Sequence, residues 1–391
     1  MDATIAAPAH GPAKFVSFLR IGLVQTVGFV VYLILPAYVG ILANVLGFGS
    51  EAAGYMASAC LAGIALGTFV GLPLQRIFGT KIAMVGGLAV MAGLDFLSPF
   101  VTEMLPHGAI RFAAGLAGGI ALAQSATLVS RPTNGERGFS VVVFMNTLFA
   151  ATMFQLIGPI LNLGGIQAFY WVLGGLGALT ALLLAFEPLH DMPVPQTAAG
   201  GSRAFTPGAI LCMIAFGLLL SGLAIPYTYL VDIGVAHQID PTTVALVLSG
   251  SALLGLVGAA TAGALGTKLG RIPTLVTAIS VIVAMLLCVT FVEGPLGFLL
   301  AWPILVFFWN FSPPYFAGLL VQYDPTGKAL ASATSLMLIF NVAAPSLAAA
   351  LLIPPAEGAA ATLGNYQNVM LAAAFFVALT IPLYVASARK V

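Results

Sequence analysis

Charge is what this sequence has least of. Only 6% of its 391 residues are Asp, Glu, Lys or Arg, 60% are hydrophobic, and the mean hydropathy is +1.09. A soluble domain carries about a quarter of its residues as charged side chains, so a water-soluble enzyme or binding module is excluded. The formal net charge is +1 and no run of Lys or Arg occurs, which leaves no electrostatic footprint for nucleic acid. Cysteine is scarce too. Cys60, Cys212 and Cys288 all fall inside apolar runs, in odd number and without metal-ligand spacing, and read as small buried hydrophobes. The four histidines, at 10, 107, 190 and 237, stand in polar segments or near the ends of runs and suggest no metal site. A Gly-Lys-Ser/Thr phosphate loop, a nucleophile elbow and a His-Glu-x-x-His helix are all absent, and no polar stretch is long enough to form a nucleotide-binding domain. No cofactor, no ATP-driven pumping and no enzymatic chemistry are expected; energy must come from a gradient.

Long apolar runs are what is there. A helix needs about 20 apolar residues to cross the hydrocarbon core of a bilayer. Twelve runs meet that length: 16–47, 52–73, 81–102, 107–130, 138–163, 167–186, 207–232, 242–265, 272–292, 295–321, 328–353 and 366–388. Gly, Pro, Asn or charge separates them, as helix breakers should. Residues 187–206 form the longest polar stretch and read as a linker. The expected fold is therefore an all-α polytopic membrane protein with twelve transmembrane helices in two six-helix halves. Its parts are a tail at 1–15, a first bundle at 16–186, the linker at 187–206 and a second bundle at 207–391.

The cations set the orientation, because Lys and Arg near helix ends stay on the cytoplasmic side. If the helices alternate, Lys14, Arg20, Arg76, Lys81, Arg131, Arg137, Arg203, Lys268, Arg271, Lys328, Arg389 and Lys390 share one side, twelve of the 13. Glu51, Glu103, Asp240, Glu293 and Glu357 mark the other, whose loops hold no Lys or Arg. Both termini are expected in the cytoplasm, and the short loops suggest a bacterial inner membrane. Arg111 is the exception.

One short turn occurs twice. Gly71-Leu-Pro-Leu-Gln75-Arg76-Ile-Phe-Gly79-Thr-Lys81 lies between two runs, and Gly263-Ala-Leu265-Gly-Thr267-Lys268-Leu-Gly270-Arg271 lies between two others, about half a chain length later. Glycines allow helix ends to approach, and the cations hold the turn at the membrane edge. This is an internal duplication. It resembles the loop between helices two and three of the major facilitator superfamily, Gly-x-Leu-x-Asp-Arg-x-Gly-Arg, and its weaker copy between helices eight and nine. Gly71, Arg76, Gly79 and Lys81 match with one extra residue before Gly79; Gly263, Leu265, Lys268, Gly270 and Arg271 match without a gap. The resemblance runs across the chain, to a drug- or sugar-efflux-like branch, and implies alternating access about a midplane site between pseudo-symmetric halves. It also implies a conformational hinge or gate at Gly71, Arg76, Gly79, Gly263, Lys268, Gly270 and Arg271. The acidic position is lost in both copies, as Gln75 and Thr267, so the family's charge-paired gate does not carry over intact.

Two charges lie within runs. Asp95 sits mid-run in helix three, where an ionisable group is costly and points to function. Arg111 is its obvious partner, placed in the first turns of helix four. Arg111-Phe-Ala-Ala-Gly115-Leu-Ala-Gly118-Gly119 resembles the superfamily's helix-four pattern, which implies a part in proton transfer or anion binding. Two readings stand for each: proton coupling or solute contact, and structural pairing.

Among uncharged polar residues, Gln25, Asn146, Tyr227, Asn310 and Asn341 lie on helices that commonly contribute to the cavity in the resembling family. Gln124, Gln155, Tyr229 and Asp232 also fall inside runs. Helix-helix hydrogen bonding is the competing explanation for each. Helix ten gathers Trp302, Phe307, Phe308, Trp309, Phe311 and Tyr315 around Pro313-Pro314, an aromatic cluster at a bend. Gly158-Pro159 followed by Gly164-Gly165 weakly matches the superfamily's antiporter signature, and a plain kink explains it equally well.

The expected function is secondary active transport of a small, weakly polar or aromatic organic solute, proton-coupled and exported by antiport. Proton-coupled import of an organic acid is the alternative, and would need Arg111 or Arg20 in the cavity. A non-transporting membrane assembly factor or a lipid flippase is the alternative from another class. The expected partners are a small-molecule solute, protons and the lipid bilayer, without nucleic acid, and the chain is read as a monomer.

Overall fold

The computed structural model describes residues 12–129, 135–186, 206–324, 328–355 and 360–389. The first part of the expected tail, all but one residue of the linker 187–206, and Arg131, Glu357 and Lys390 lie outside the described residues. Among those described, the chain is helical and contains no strand.

The first helix, α1, begins as Pro12–Gly28 and continues in short pieces, Val30–Leu33 and Leu35–Gly40, into a π-helical turn at Ile41–Val45. Phe29 (ψ 12°) and Ile34 (ψ 20°) carry the breaks. Pro36 supplies the reason for the second, since it has no N–H for the Tyr32 carbonyl one turn back. Helix α2 is Ser50–Phe78, α3 is Thr80–Leu97 with a 3-10 turn at Ser98–Phe100, and α4 is Met104–Val129. Gly135–Ala185 is twice as long as one crossing needs. It folds back at Gly164 and Gly165, where Gly165 takes φ 58°, ψ −148°, a conformation only glycine adopts readily. The arm before this kink is α5 and the arm after it α6.

The second series repeats the pattern. Helix α7 is Pro207–Tyr227 continued in Leu230–Ala236, α8 is Pro241–Leu265, α9 is Arg271–Phe291, α10 is Pro295–Phe311 continued in Pro313–Tyr323, α11 is Lys328–Leu351 and α12 is Leu363–Ala388. The break in α7, at Tyr229 (φ −110°, ψ 22°), matches in geometry the break of α1 at Ile34. Pro226 stands three residues before Tyr229. In α10, Pro313-Pro314 breaks the ladder at Ser312. By length and apolarity, eight helices of the described residues can cross a membrane, counting Val141–Ala185 once.

Packing is closest between α2 and α4. A Cβ added at Gly63 or Gly67 would run into the Phe112 or Leu116 carbonyl, and one at Gly115 or Gly119 into those of Cys60 and Ile64. These helices touch backbone to backbone, which only small residues allow. In the second series α7 packs on α11 and α12, and α8 on α10; α2–α11 and α5–α8 contacts then join the two series.

The loops between α1 and α2, α3 and α4, and α7 and α8 define one end of the bundle, here the acidic end; the α2–α3 and α8–α9 turns define the basic end. Asp240 caps α8, accepting from the Thr243 amide at 2.9 Å. Its bonds from Thr243 hold the exposed carboxyl below the usual carboxylate range. At the same end, the ring nitrogens of His237 lie 2.9 Å from the Gly294 carbonyl and 3.0 Å from that of Val289. A carbonyl only accepts, so the ring nitrogen that carries the proton donates to the carbonyl beside it, and the buried ring covers the Val289 carbonyl at the end of α9 and the Gly294 carbonyl of the following loop.

Candidate functional site: a central cavity and a buried charge pair

A cavity of about 250 Å³ lies midway along the helices, between the first series and the second. Tyr32 and Leu33 come from the broken stretch of α1, and Asn146, Thr147, Ala150 and Phe154 from α5. Tyr227 comes from the end of the first piece of α7, Leu248, Ser251 and Ala252 from α8, and Trp302, Val306, Trp309 and Asn310 from α10. The Tyr227 ring meets Trp309 edge-on (90°, centroids 5.7 Å apart) and lies 6.5 Å from Tyr32. The helix breaks have a direct role in this arrangement, since they carry Tyr32 and Tyr227 at the points where regular bonding stops.

The polar groups of the wall are tied down from behind. Asn310 Nδ2 donates to the Val306 carbonyl at 3.0 Å, and Asn146 Oδ1 lies 2.8 Å from Thr26 Oγ1, which also lies 2.9 Å from the Gly22 carbonyl. Tyr227 donates to the Leu33 carbonyl at 3.0 Å, across the boundary between the two series. Ser251, buried in the wall, has no hydrogen-bond partner for its hydroxyl.

Of the residues expected in the cavity, Asn146, Tyr227 and Asn310 line it. Asn341 stands one layer back, its Nδ2 3.5 Å from the hydroxyl of the lining Tyr32. Gln25 is half-buried on α1 and does not line the cavity. Tyr32 and Ser251 were not expected. Ser251 is one of several small residues in an apolar helix and carries no sequence signal; Tyr32 had one, its place a turn before Pro36.

Asp95 and Arg111 are in contact. Arg111 Nη1 donates to Asp95 Oδ1 at 2.7 Å, and both side chains are buried. Nη2 donates to the Leu94 carbonyl at 3.2 Å and to the Ser98 hydroxyl. The guanidinium lies 4.9 Å over the Tyr170 ring of α6. Tyr170 O–H in turn meets His107 Nε2 at 2.8 Å, while His107 Nδ1 lies 2.8 Å from the Val101 carbonyl. Nδ1 therefore donates and Nε2 accepts, so a neutral ring satisfies both bonds. Asp95 is not at mid-helix. Helix α3 ends at Leu97, where Ser98-Pro99 turns the chain into a 3-10 turn, so the pair sits in the third of the bundle nearest the acidic end. Neither residue lines the cavity. A void of about 10 Å³, bounded by both residues and by Gly28, Val30 and Val31 of α1, adjoins them.

The expected gate residues are placed as follows. Gly71 is buried against α4, where an added Cβ would meet Ala123 Cβ at 2.8 Å, and its carbonyl accepts from Gln124 Nε2 at 2.7 Å. Arg76 and Lys268 are exposed at the basic end. Gly79 (φ 81°) and Gly270 (φ 78°) start α3 and α9. Gln75, in the place of the family's acid, donates through Nε2 to Thr80 Oγ1 at 2.8 Å and so bridges the turn. Arg271 lies alongside Gly318 of α10. Gly263 departs from expectation: open space surrounds it, so close helix approach does not explain a glycine there.

The family model of the Major Facilitator Superfamily matches residues 23–345. The chain belongs to that superfamily. This places it among multi-pass membrane transporters. In comparisons of structure, a chain solved in work on "substrate recognition in proton dependent oligopeptide transporters" superimposes with TM-score 0.74 at 11% identity, covering 97% of this chain and 100% of that one. A bacterial homologue of the human lysosomal transporter Spinster, in an inward-facing and occupied conformation, gives 0.73 at 12% identity, covering 97% and 98%. A D-xylose-proton symporter gives 0.67 at 15% identity, covering 95% and 96%. At these identities the likeness is one of fold. No curated protein sequence matches the chain.

Proposed function

We propose that this protein moves a small organic solute across the cell inner membrane by alternating access, exporting it in exchange for protons, with both termini in the cytoplasm. The observation that carries the reading is the cavity between the two helix series together with the closure beside it. Ser58 Oγ donates to the Val342 carbonyl at 2.8 Å and accepts from the Ser346 amide at 2.7 Å, which ties α2 to α11. Tyr229 donates to the Ser50 carbonyl at 2.8 Å, and Ser249 Oγ lies 2.8 Å from the Ala151 carbonyl. The Ser249 contact lies level with the cavity wall, and the Ser58 and Tyr229 bonds lie between the cavity and the acidic end. They fit a state shut toward the outside, whose opposite would require breaking them.

Asp95 is the proposed proton carrier and Arg111 the partner that keeps it ionised until the helices move. Asp95 takes up a proton when Arg111 is drawn away and releases it when the pair re-forms, so that protonation follows conformation. Export rests on the weak match of Gly158-Pro159 and Gly164-Gly165 to the superfamily's antiporter signature. Import of an organic anion has less support, because Arg111 is engaged by Asp95, Leu94 and Ser98 and no cation stands in the cavity wall as described.

The test uses everted membrane vesicles energised by respiration, with a pH dye reporting the lumen. Adding the solute should release protons with wild type and not with Asp95→Asn. Equal proton-linked flux in that variant removes Asp95 from the mechanism, and solute-driven alkalinisation of the medium around intact cells reverses the direction.

A further inference from the structure

Building on the transport reading, we infer that the cavity accepts an uncharged flat molecule bearing a hydrogen-bond donor and an acceptor on one edge, such as a ring carboxamide or lactam, and rejects carboxylates and cations of the same shape. Size and flatness come first. The volume of about 250 Å³ is below the usual range of drug-sized pockets, roughly 300–1,000 Å³, which fits one or two rings. Tyr227 and Trp309 meet at a right angle and form a corner for such a ring.

Neutrality follows from the wall. Among the described lining residues there is no Asp, Glu, Lys, Arg or His. An ion entering loses its water and finds no countercharge, a penalty of several kcal/mol after relaxation. A neutral amide loses far less, provided its N–H and C=O are met.

The wall meets both. Asn310 Nδ2 is committed to the Val306 carbonyl and sits over Gly255, where any side chain would collide with it. Its Oδ1 is then the atom left to accept. Asn146 turns its Oδ1 to the Thr26 hydroxyl, 2.8 Å away, which leaves its amino group to donate. The unpartnered Ser251 hydroxyl, 2% exposed for the whole residue, can do either. Sites that hydrogen-bond a cargo reject analogues lacking the partner atoms much more sharply than purely apolar pockets do.

The test needs no gradient and no flux. Trp302 and Trp309 face the cavity, so tryptophan fluorescence of the purified full chain in detergent can report binding. Benzamide, benzoate and benzamidine share one shape and differ in charge. Benzamide should quench saturably, with a dissociation constant at least about tenfold below that of either ion. The variant Asn146→Asp keeps the oxygen turned to Thr26 and replaces the amino group with a second carboxylate oxygen; it should shift preference to benzamidine by about tenfold or more. The inference is overturned if either ion binds wild type as tightly as benzamide, if benzamide gives no saturable signal up to its solubility limit, or if Asn146→Asp leaves the order unchanged. Failure of the transport reading looks different: benzamide binds as stated, yet no solute tested moves protons across vesicles.

Discussion

Arg111 and Asp95 form a buried ion pair, 2.7 Å from Nη1 to Oδ1, outside the cavity. A buried pair is weak evidence for stability as a unit, but removing one partner strands the other charge, which costs about 3–5 kcal/mol. Asp95→Asn alone and Arg111→Gln alone should each lower the unfolding temperature in detergent. The double variant should recover most of that loss, while its proton-linked flux stays absent. A double variant as unstable as the worse single would show that the pair's geometry, and not its charge balance, is what the bundle needs.

Ser58 joins α2 to α11 through two bonds, one given and one received. Ser58→Ala removes both, about 1–2 kcal/mol in all, enough to shift a two-state balance by roughly tenfold toward opening at the acidic end. Spin labels at Glu51→Cys and Asp240→Cys, in a background lacking Cys60, Cys212 and Cys288, measure that opening. A longer-distance population should grow in Ser58→Ala. An unchanged distance distribution would mean that the closure is held elsewhere.

The fold was legible because bilayer physics is one-dimensional: run length, cation side and the repeated turn, Gly71 to Arg76 and Gly263 to Lys268, needed no three-dimensional information. The breaks of α1 were harder, since Phe29 to Leu35 is an unbroken apolar stretch whose only warning is Pro36. The cavity was partly legible. Asn146, Tyr227 and Asn310 stood out as costly polar groups in lipid, but helices apolar on every face do not show which way a side chain points. That is why Gln25, equally polar, fell outside the wall while Ser251 fell inside it. Asp95 seemed deeper than it is because the run continues past Leu97 in hydropathy, although Pro99 ends the helix.

The His237 ring lies against two carbonyls, one at the end of α9 and one in the following loop, and its N–H donates to one of them. Replacing it with Leu keeps the bulk but removes the donor, which should cost about 1–3 kcal/mol for the buried carbonyl left unpaired. Gln retains an amino group with two hydrogens and should recover part of the loss. The comparison is thermal unfolding of the three proteins in one detergent. If Leu and Gln behave alike, packing against Phe298 and not hydrogen bonding is what the ring supplies.

The two copies of the repeated turn should respond differently to the same change. At Gly71 an added Cβ meets Ala123 Cβ at 2.8 Å and the Ile120 carbonyl at 3.1 Å, so Gly71→Ala forces α2 away from α4 and strains the Gln124 bond to the Gly71 carbonyl. Overpacking of this kind costs about 1–3 kcal/mol, and with the α2–α4 contact loosened, turnover should fall while membrane insertion persists. At Gly263 an added Cβ would stand in open space, and Gly263→Ala should leave turnover and stability within about 0.5 kcal/mol of wild type. Solute-driven proton flux and expression level, measured side by side, decide the matter. Equal slowing at both positions would return the glycines to a common hinge role set by backbone freedom, and equal tolerance would remove the α2–α4 contact from the list of elements that limit alternation.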